Sequence, residues 1–180
     1  YYIDDYTSFF EALKRKEKIV AIVAPSVAAN FPETYLNLNG WLKHLGVEAI
    51  FDVSFGAELT IASYLHHIKS NNPSTVIAQP CAAIVSYIEL FKPELIRYLA
   101  PVDSPMLHTM KLIKNFYEQY KDHKIAVISP CIAKKREFVE TGYGDFNVSF
   151  LSLNNHLKTN NIHLEAYPKS TYDNPPAERA

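Results

Sequence analysis

The chain has 180 residues and a mass of 20.5 kDa, and 48% of its residues are hydrophobic, enough to bury the core of one domain or of one lobe of a larger fold. Eighteen Lys and Arg against nineteen Asp and Glu leave a formal charge of -1, without the basic excess that binding to a nucleic acid or an acidic membrane surface requires. Apolar runs such as Ile19–Val27 fall far short of the roughly 20 residues of a membrane span, and nothing at the start reads as a signal peptide. A cytoplasmic protein without nucleic-acid or membrane partners is expected.

In chain order, a helix is predicted from Asp5 or Thr7 to Lys16, capped by the acidic and hydroxyl residues before it, then a strand over Lys18–Ala24. Leu36, Leu38, Trp41, Leu42 and Leu45 recur at helical spacing, so Glu33–Leu45 reads as a helix stopped by Gly46, with a strand at Glu48–Val53. A helix over Ala57–Lys69 ends at Asn71-Asn72-Pro73, and a strand follows at Thr75–Ala78. Next come Cys81–Phe91, a short helix from Pro93 and a longer one from Pro105 to Tyr120. The last elements are a strand at Lys124–Ile128, a helix over Cys131–Glu140, a strand at Asn147–Leu151 and a helix at Ser152–Thr159, with irregular chain from Tyr167. This alternation predicts an α/β fold with a mostly parallel β-sheet flanked by helices. The chain divides into a lead-in over 1–17, the α/β domain over 18–166 and an irregular connection over 167–180. A start at Tyr1-Tyr2 without Met and the Pro-rich end near Asn174-Pro175-Pro176 read as a piece of a longer polypeptide.

Three segments repeat one pattern: Val23-Ala24-Pro25-Ser26, Ala78-Gln79-Pro80-Cys81 and Ser129-Pro130-Cys131 each close a strand with Pro and a small nucleophilic residue before a helix. Ser26, Cys81 and Cys131 are therefore expected to open helices at the carboxyl edge of a parallel sheet, where ligands of open α/β folds sit. Helix N-termini favour anions and thiolates, and thiolates are ligands for soft metals and iron–sulfur clusters. The alternatives are two buried small side chains or a redox couple between converging turns; a zinc site lacks a second Cys or His at close spacing. Lys134, one helical turn beyond Cys131, either faces the same crevice or belongs to a solvated Lys134-Lys135-Arg136 run, and Glu137 is placed to pair with it. His44, His66 and His67 have no ligand spacing, and Leu107, Met110, Ile113, Tyr117 and Tyr120 form a stripe that reads as core.

From Lys18 to Ser152 the sequence resembles the first part of the catalytic, H-cluster domain of iron-only (FeFe) hydrogenases. The resemblance rests on Val23-Ala24-Pro25-Ser26, the segment Phe51–Ile61, Pro93-Glu94-Leu95, Ser104-Pro105, and Ser129-Pro130-Cys131-Ile132-Ala133-Lys134-Lys135-Arg136-Glu137. The last matches the family's Met-Pro-Cys-x-x-Lys-x-x-Glu motif in all but the Met. The resemblance implies that Cys81 and Cys131 are two thiolate ligands of a 4Fe-4S cubane beside a diiron subcluster carrying CO and cyanide. It also implies a cofactor pocket formed by Ala24, Pro25, Ser26, Pro80 and Lys134, with Ser26 and Lys134 donating hydrogen bonds to a cyanide.

The departures point to a branch of that family. Pro80 stands where the family has the proton-carrying cysteine, and proline shuttles no proton. The other relay positions fall at Tyr64, His67 and Ala100, and Ser129 replaces the motif Met. A third motif with two further cysteines is not among these residues, so the isolated segment is expected to be apo. The pattern resembles the sensory branch, which implies hydrogen or redox sensing in a longer chain with ferredoxin-type electron-transfer modules, a signalling output domain and dependence on maturation factors. The alternatives are an iron-only hydrogenase that makes H2 from protons and electrons, and a cubane-only, assembly-type iron–sulfur protein.

Overall fold

The computed structural model describes residues 4–175, so expectations for the two ends of the chain lie partly outside the described residues. Four strands, β1 (Ile19–Val23), β2 (Val47–Asp52), β3 (Lys124–Ser129) and β4 (Phe146–Ser149), form one parallel sheet in the order β2-β1-β3-β4. β1 is Ile-Val-Ala-Ile-Val, with all five residues buried. Its side chains alternate between the sheet faces, so each face builds its own core.

Ile19, Ala21 and Val23 face the helices α1 (Tyr6–Lys14), α3 (Tyr35–His44) and α8 (Phe150–Thr159), where Phe9, Leu38, Trp41 and Leu153 close the first core. Val20 and Ile22 face the second, with Phe51, Val127, Phe138 and the Met110–Ile113 stripe of α6 (Pro105–Phe116). Met110 and Ile113 are thus core, with Tyr117 and Tyr120 packed against them. α4 (Val53–Asn71) lies along α6 so closely that a Cβ on Gly56 would fall 2.1 Å from the Pro105 carbonyl oxygen. The remaining helices are α2 (Val27–Asn30), α5 (Ala82–Phe91) and α7 (Lys135–Thr141).

Several boundaries differ from expectation. α1 starts at Tyr6, and Asp4 rather than Asp5 accepts its first amide (2.9 Å), because the Asp5 carboxylate is taken by Asn147 N and Lys135. α3 starts only at Tyr35, after Glu33 at φ 63°. α4 begins at Val53, directly after β2, because the Asp52 side chain accepts from Ser54 N at 2.9 Å and caps it. α6 stops at Phe116, and Glu118–Tyr120 is a separate 3-10 turn. The segment from Cys131 is a 3-10 turn, Ile132–Lys134, before α7. β4 and α8 each lie one or two residues earlier than predicted, because the Ser149 hydroxyl caps α8 by accepting from Ser152 N.

The largest correction concerns Thr75–Ala78, which is not a strand of the sheet. Ile77 makes only an isolated parallel bridge to Leu99. The outer edge of β2 is covered by the chain's irregular end: Ile50 N donates to the Asp173 carboxylate (2.7 Å), Asp173 N to Ile50 O (2.7 Å) and Asp52 N to Asn174 Oδ1 (2.7 Å). Burial there pushes the Tyr172 phenol up to about 12. No helix among the described residues is long and apolar enough to cross a membrane.

Candidate cluster site

The strand register builds the site. Val23 pairs with both Asp52 and Ile128, so β2, β1 and β3 end level and the next residues, Ala24, Val53 and Ser129, form a floor at the carboxyl edge. The chain leaves β1 toward β2 but leaves β3 toward β4, which makes the β1/β3 boundary the topological switch point where open α/β sheets bind ligands. A cleft of about 230 Å³ opens there. Ser26, Pro80, Cys131 and Lys134 line it together with that floor, and Pro105, Met106 and Val127 supply apolar wall.

Local chemistry holds Cys131 in place. Pro130 ends the strand, having no N–H to offer the ladder, and the Ser129 hydroxyl instead accepts from Cys131 N at 3.2 Å. Asn147, 2% exposed on the neighbouring β4, donates from Nδ2 to the carbonyls of Cys131 (3.2 Å) and Ile132 (3.1 Å). The 3-10 turn then swings Lys134, whose side chain is 15% exposed, back over the cleft. Its ammonium donates to Glu137 Oε2 at 2.9 Å and to the Pro80 carbonyl at 3.0 Å. Lys134 therefore faces the cleft rather than forming part of a solvated run, and it pairs with Glu137 as its spacing predicts.

Cys81 arrives differently. It is the extended N-cap of α5, half-buried like Cys131, and both thiols are free. It does not itself line the cleft; Pro80 does. The expected repeat therefore has two sheet-borne members, Ser26 and Cys131, and a third that no sheet strand carries. Gln79 fixes that third turn through Nε2 to the carbonyls of Ala100 (2.6 Å) and Val102 (3.1 Å), while its own N–H donates to the Tyr64 hydroxyl at 3.0 Å. Pro25 sits in the β1–α2 turn, its carbonyl accepting from Ala28 N at 3.3 Å, outside the cleft wall.

The positions that the resemblance aligns with the family's relay do not converge on the cleft either. Tyr64 serves Gln79, His67 Nδ1 lies 3.2 Å from Asn71 Nδ2, and Ala100 is buried as part of the bridge to Ile77. The sequence reading missed Val53, Met106 and Asn147. Asn147 had a usable signal, a lone amide between Phe146 and Val148 in a buried strand. Met106 and Val53 look like any core residue. The cleft combines a thiol, an ammonium and a hydroxyl with apolar walls, a set that fits a compact anionic group with a soft metal.

Residues 17–180 match the family model described as iron only hydrogenase large subunit, C-terminal domain. The chain belongs to that family. This hydrogenase-family chain is 29% identical over 145 residues to iron hydrogenase 1 of Clostridium pasteurianum, a match covering 70% of the chain and 25% of that protein. It is also 29% identical over 120 residues to the nuclear prelamin A recognition factor of Mus musculus, covering 58% of the chain and 26% of that protein. Its fold superposes on an [FeFe]-hydrogenase solved in work on oxygen inactivation through the H-cluster 2Fe subcluster, with TM-score 0.82 and 22% identity over 96% of this chain and 52% of that one. An apo [FeFe]-hydrogenase from Chlamydomonas reinhardtii gives TM-score 0.80 at 22% identity, again over 96% of this chain and 52% of that one. The chain thus spans about a quarter of the curated relatives and about half of the solved chains.

Proposed function

We propose that this iron-only hydrogenase-like domain forms one side of an H-cluster site in a cytoplasmic protein that senses hydrogen or redox state. Cys131 and Cys81 are two thiolate ligands of a 4Fe-4S cubane, and the remaining ligands come from outside these residues. Ser26 and Lys134 donate hydrogen bonds to a cyanide of a diiron subcluster, with Ala24 and Pro80 shaping the pocket and Pro25 turning the chain that carries Ser26. The observation that carries this reading is the single cleft that Ala24, Ser26, Pro80, Cys131 and Lys134 share. When bound, the cluster supplies the redox chemistry; the chain supplies thiolates, an ammonium and the exclusion of water by Val53, Met106 and Val127.

The sensory role rests on Pro80. A proline has neither an N–H nor a thiol with which to pass a proton to the cleft, so proton delivery is slow. Ferredoxin-type modules, a signalling output domain and maturation factors complete the proposed system. Pro80→Cys in the full-length, matured protein is expected to raise hydrogen turnover at least tenfold. Unchanged turnover would remove the ground for calling the protein a sensor and leave the slow-enzyme reading.

A cubane-only role is the second reading, favoured by the Lys134 ammonium already having Glu137 and Pro80 O as partners. Iron, sulfide and infrared analysis of the full-length protein after anaerobic maturation separates the two. CO and cyanide stretching bands are expected. Cubane iron and sulfide without those bands would sink the hydrogen-based reading in favour of the cubane-only one.

A further inference from the structure

α5 carries Cys81 yet contributes to neither hydrophobic core: its buried residues are Ala82 and Ile88, while Ile84, Tyr87, Leu90 and Phe91 face solvent. α5 touches the Ile132–Lys134 turn and Pro93–Tyr98 through this small buried face, so polar contacts carry much of what sets the Cys81 turn against the Cys131 turn. One side chain on α7 makes several polar contacts between the two units. Arg136 donates from Nη1 to the Ser86 hydroxyl (2.6 Å) and to Glu89 Oε2 (2.7 Å), and from Nη2 to Glu89 Oε1 (3.0 Å). Its Nε is held by Glu140 at 2.5 Å, one turn along the same helix.

A guanidinium fork engaging both oxygens of one carboxylate constrains orientation as well as distance, which a lysine ammonium does not reproduce. Glu140 fixes the rotamer from behind, so less freedom is lost when the fork closes on α5. Arg136 lies five residues after Cys131, and Ser86 and Glu89 lie one and two turns into the helix that Cys81 opens. The clamp therefore spans the two cysteine-bearing units themselves. The neighbouring Lys134–Pro80 contact runs in the same direction and adds a second, weaker strap.

We propose that Arg136 is a positioning residue that clamps α5 to α7 and so sets the Cys81 turn against the Cys131 turn. This rests on the reading of the two cysteines as ligands of one cluster. The test compares wild type, Arg136→Gln, Arg136→Lys and, from the opposite side, Glu89→Gln with Ser86→Ala, all in the full-length protein. Amide hydrogen exchange of the cluster-free form reports the clamp directly, and the electron paramagnetic resonance line shape of the reduced, reconstituted cubane reports its consequence.

In Arg136→Gln and in the Ser86/Glu89 double variant, α5 amides are expected to exchange about tenfold faster while β1 and β3 are unchanged, with Arg136→Lys closer to Gln than to wild type. The cubane signal is expected to broaden and its yield to fall about twofold in the same order. Unaltered α5 exchange in both Gln variants would overturn the clamp. Faster exchange with an unaltered cubane signal would overturn its positioning role. A wild-type protein that takes up no cubane overturns the cluster reading instead, and with it the positioning role, while the exchange data still judge the clamp.

Discussion

The two cysteine turns share a Pro-Cys sequence and little else. Cys131 leaves a central strand buried on both faces from Ile125 to Ser129, and Asn147 straps its turn from the next strand. Cys81 leaves a segment that makes one isolated bridge and is held by Gln79, Tyr64, Lys134 and Arg136. One half of the site inherits the stability of the sheet, and the other depends on a handful of polar contacts. Because net hydrogen bonds contribute about 0.5–1.5 kcal/mol each, the second half opens at lower cost than the first.

The largest expected effect comes from breaking the rigid half. Ile113 is fully buried against the sheet, and Ile113→Ala is expected to cost about 2–5 kcal/mol of global stability by urea unfolding, loosening β1 and β3 together. A loss below about 1 kcal/mol would show that α6 does not anchor the sheet-borne turn. Gln79→Ala sharpens the contrast from the yielding side. It removes the donor to Ala100 and Val102, so the amides of residues 77–79 and 81 are expected to exchange about tenfold faster at an unchanged urea midpoint. A lowered midpoint would mean that the Cys81 turn is coupled to the global fold and is no less rigid than the sheet-borne half.

The smallest effect lies on the far face of the sheet. His156 stacks on Phe10 at 4.4 Å and hydrogen-bonds the Tyr6 hydroxyl, and burial, aided by the Lys14 charge, holds its pKa below the ordinary 6.5. The unfolded chain takes up this proton at higher pH than the folded one does. The stability that His156 contributes is therefore complete above the unfolded value and is lost as pH falls below it and through the depressed folded value. His156→Gln is expected to flatten the fall in urea midpoint between about pH 7.5 and about pH 5, and an unchanged slope would assign that fall to other groups.

Much of the fold was legible in the sequence because buried parallel strands carry an unmistakable signature. Ile19–Val23 and Lys124–Ser129 are apolar runs bounded by turn residues, and the stripe Met110–Ile113 has the period of a helix with one buried face. Thr75–Ala78 has the same β-forming composition but joins no sheet edge; residues 173–174 cover β2 and Asp5 pairs with Asn147 on β4. Strand propensity reports fitness for a pleated surface; it does not report whether a partner is vacant. The helix starts were shifted for a related reason, because Asp4, Asp52 and Ser149 choose which amide they cap only when the neighbouring strands are in place.

By itself the sequence determined the family, the Pro-Cys and Pro-Ser turns and the Lys134–Glu137 spacing, because these are local patterns in which a few residue types serve one chemistry. Only the tertiary structure decided which of them meet. The parallel register that ends β1, β2 and β3 level gathers Ala24, Val53 and Ser129 into one floor, and the long-range contacts of Asn147, Lys134 and Arg136 bring two turns fifty residues apart to the same cleft. Such convergence depends on which strand edges are free and on how helices pack across the sheet, and both are settled only when the whole chain competes for the same partners.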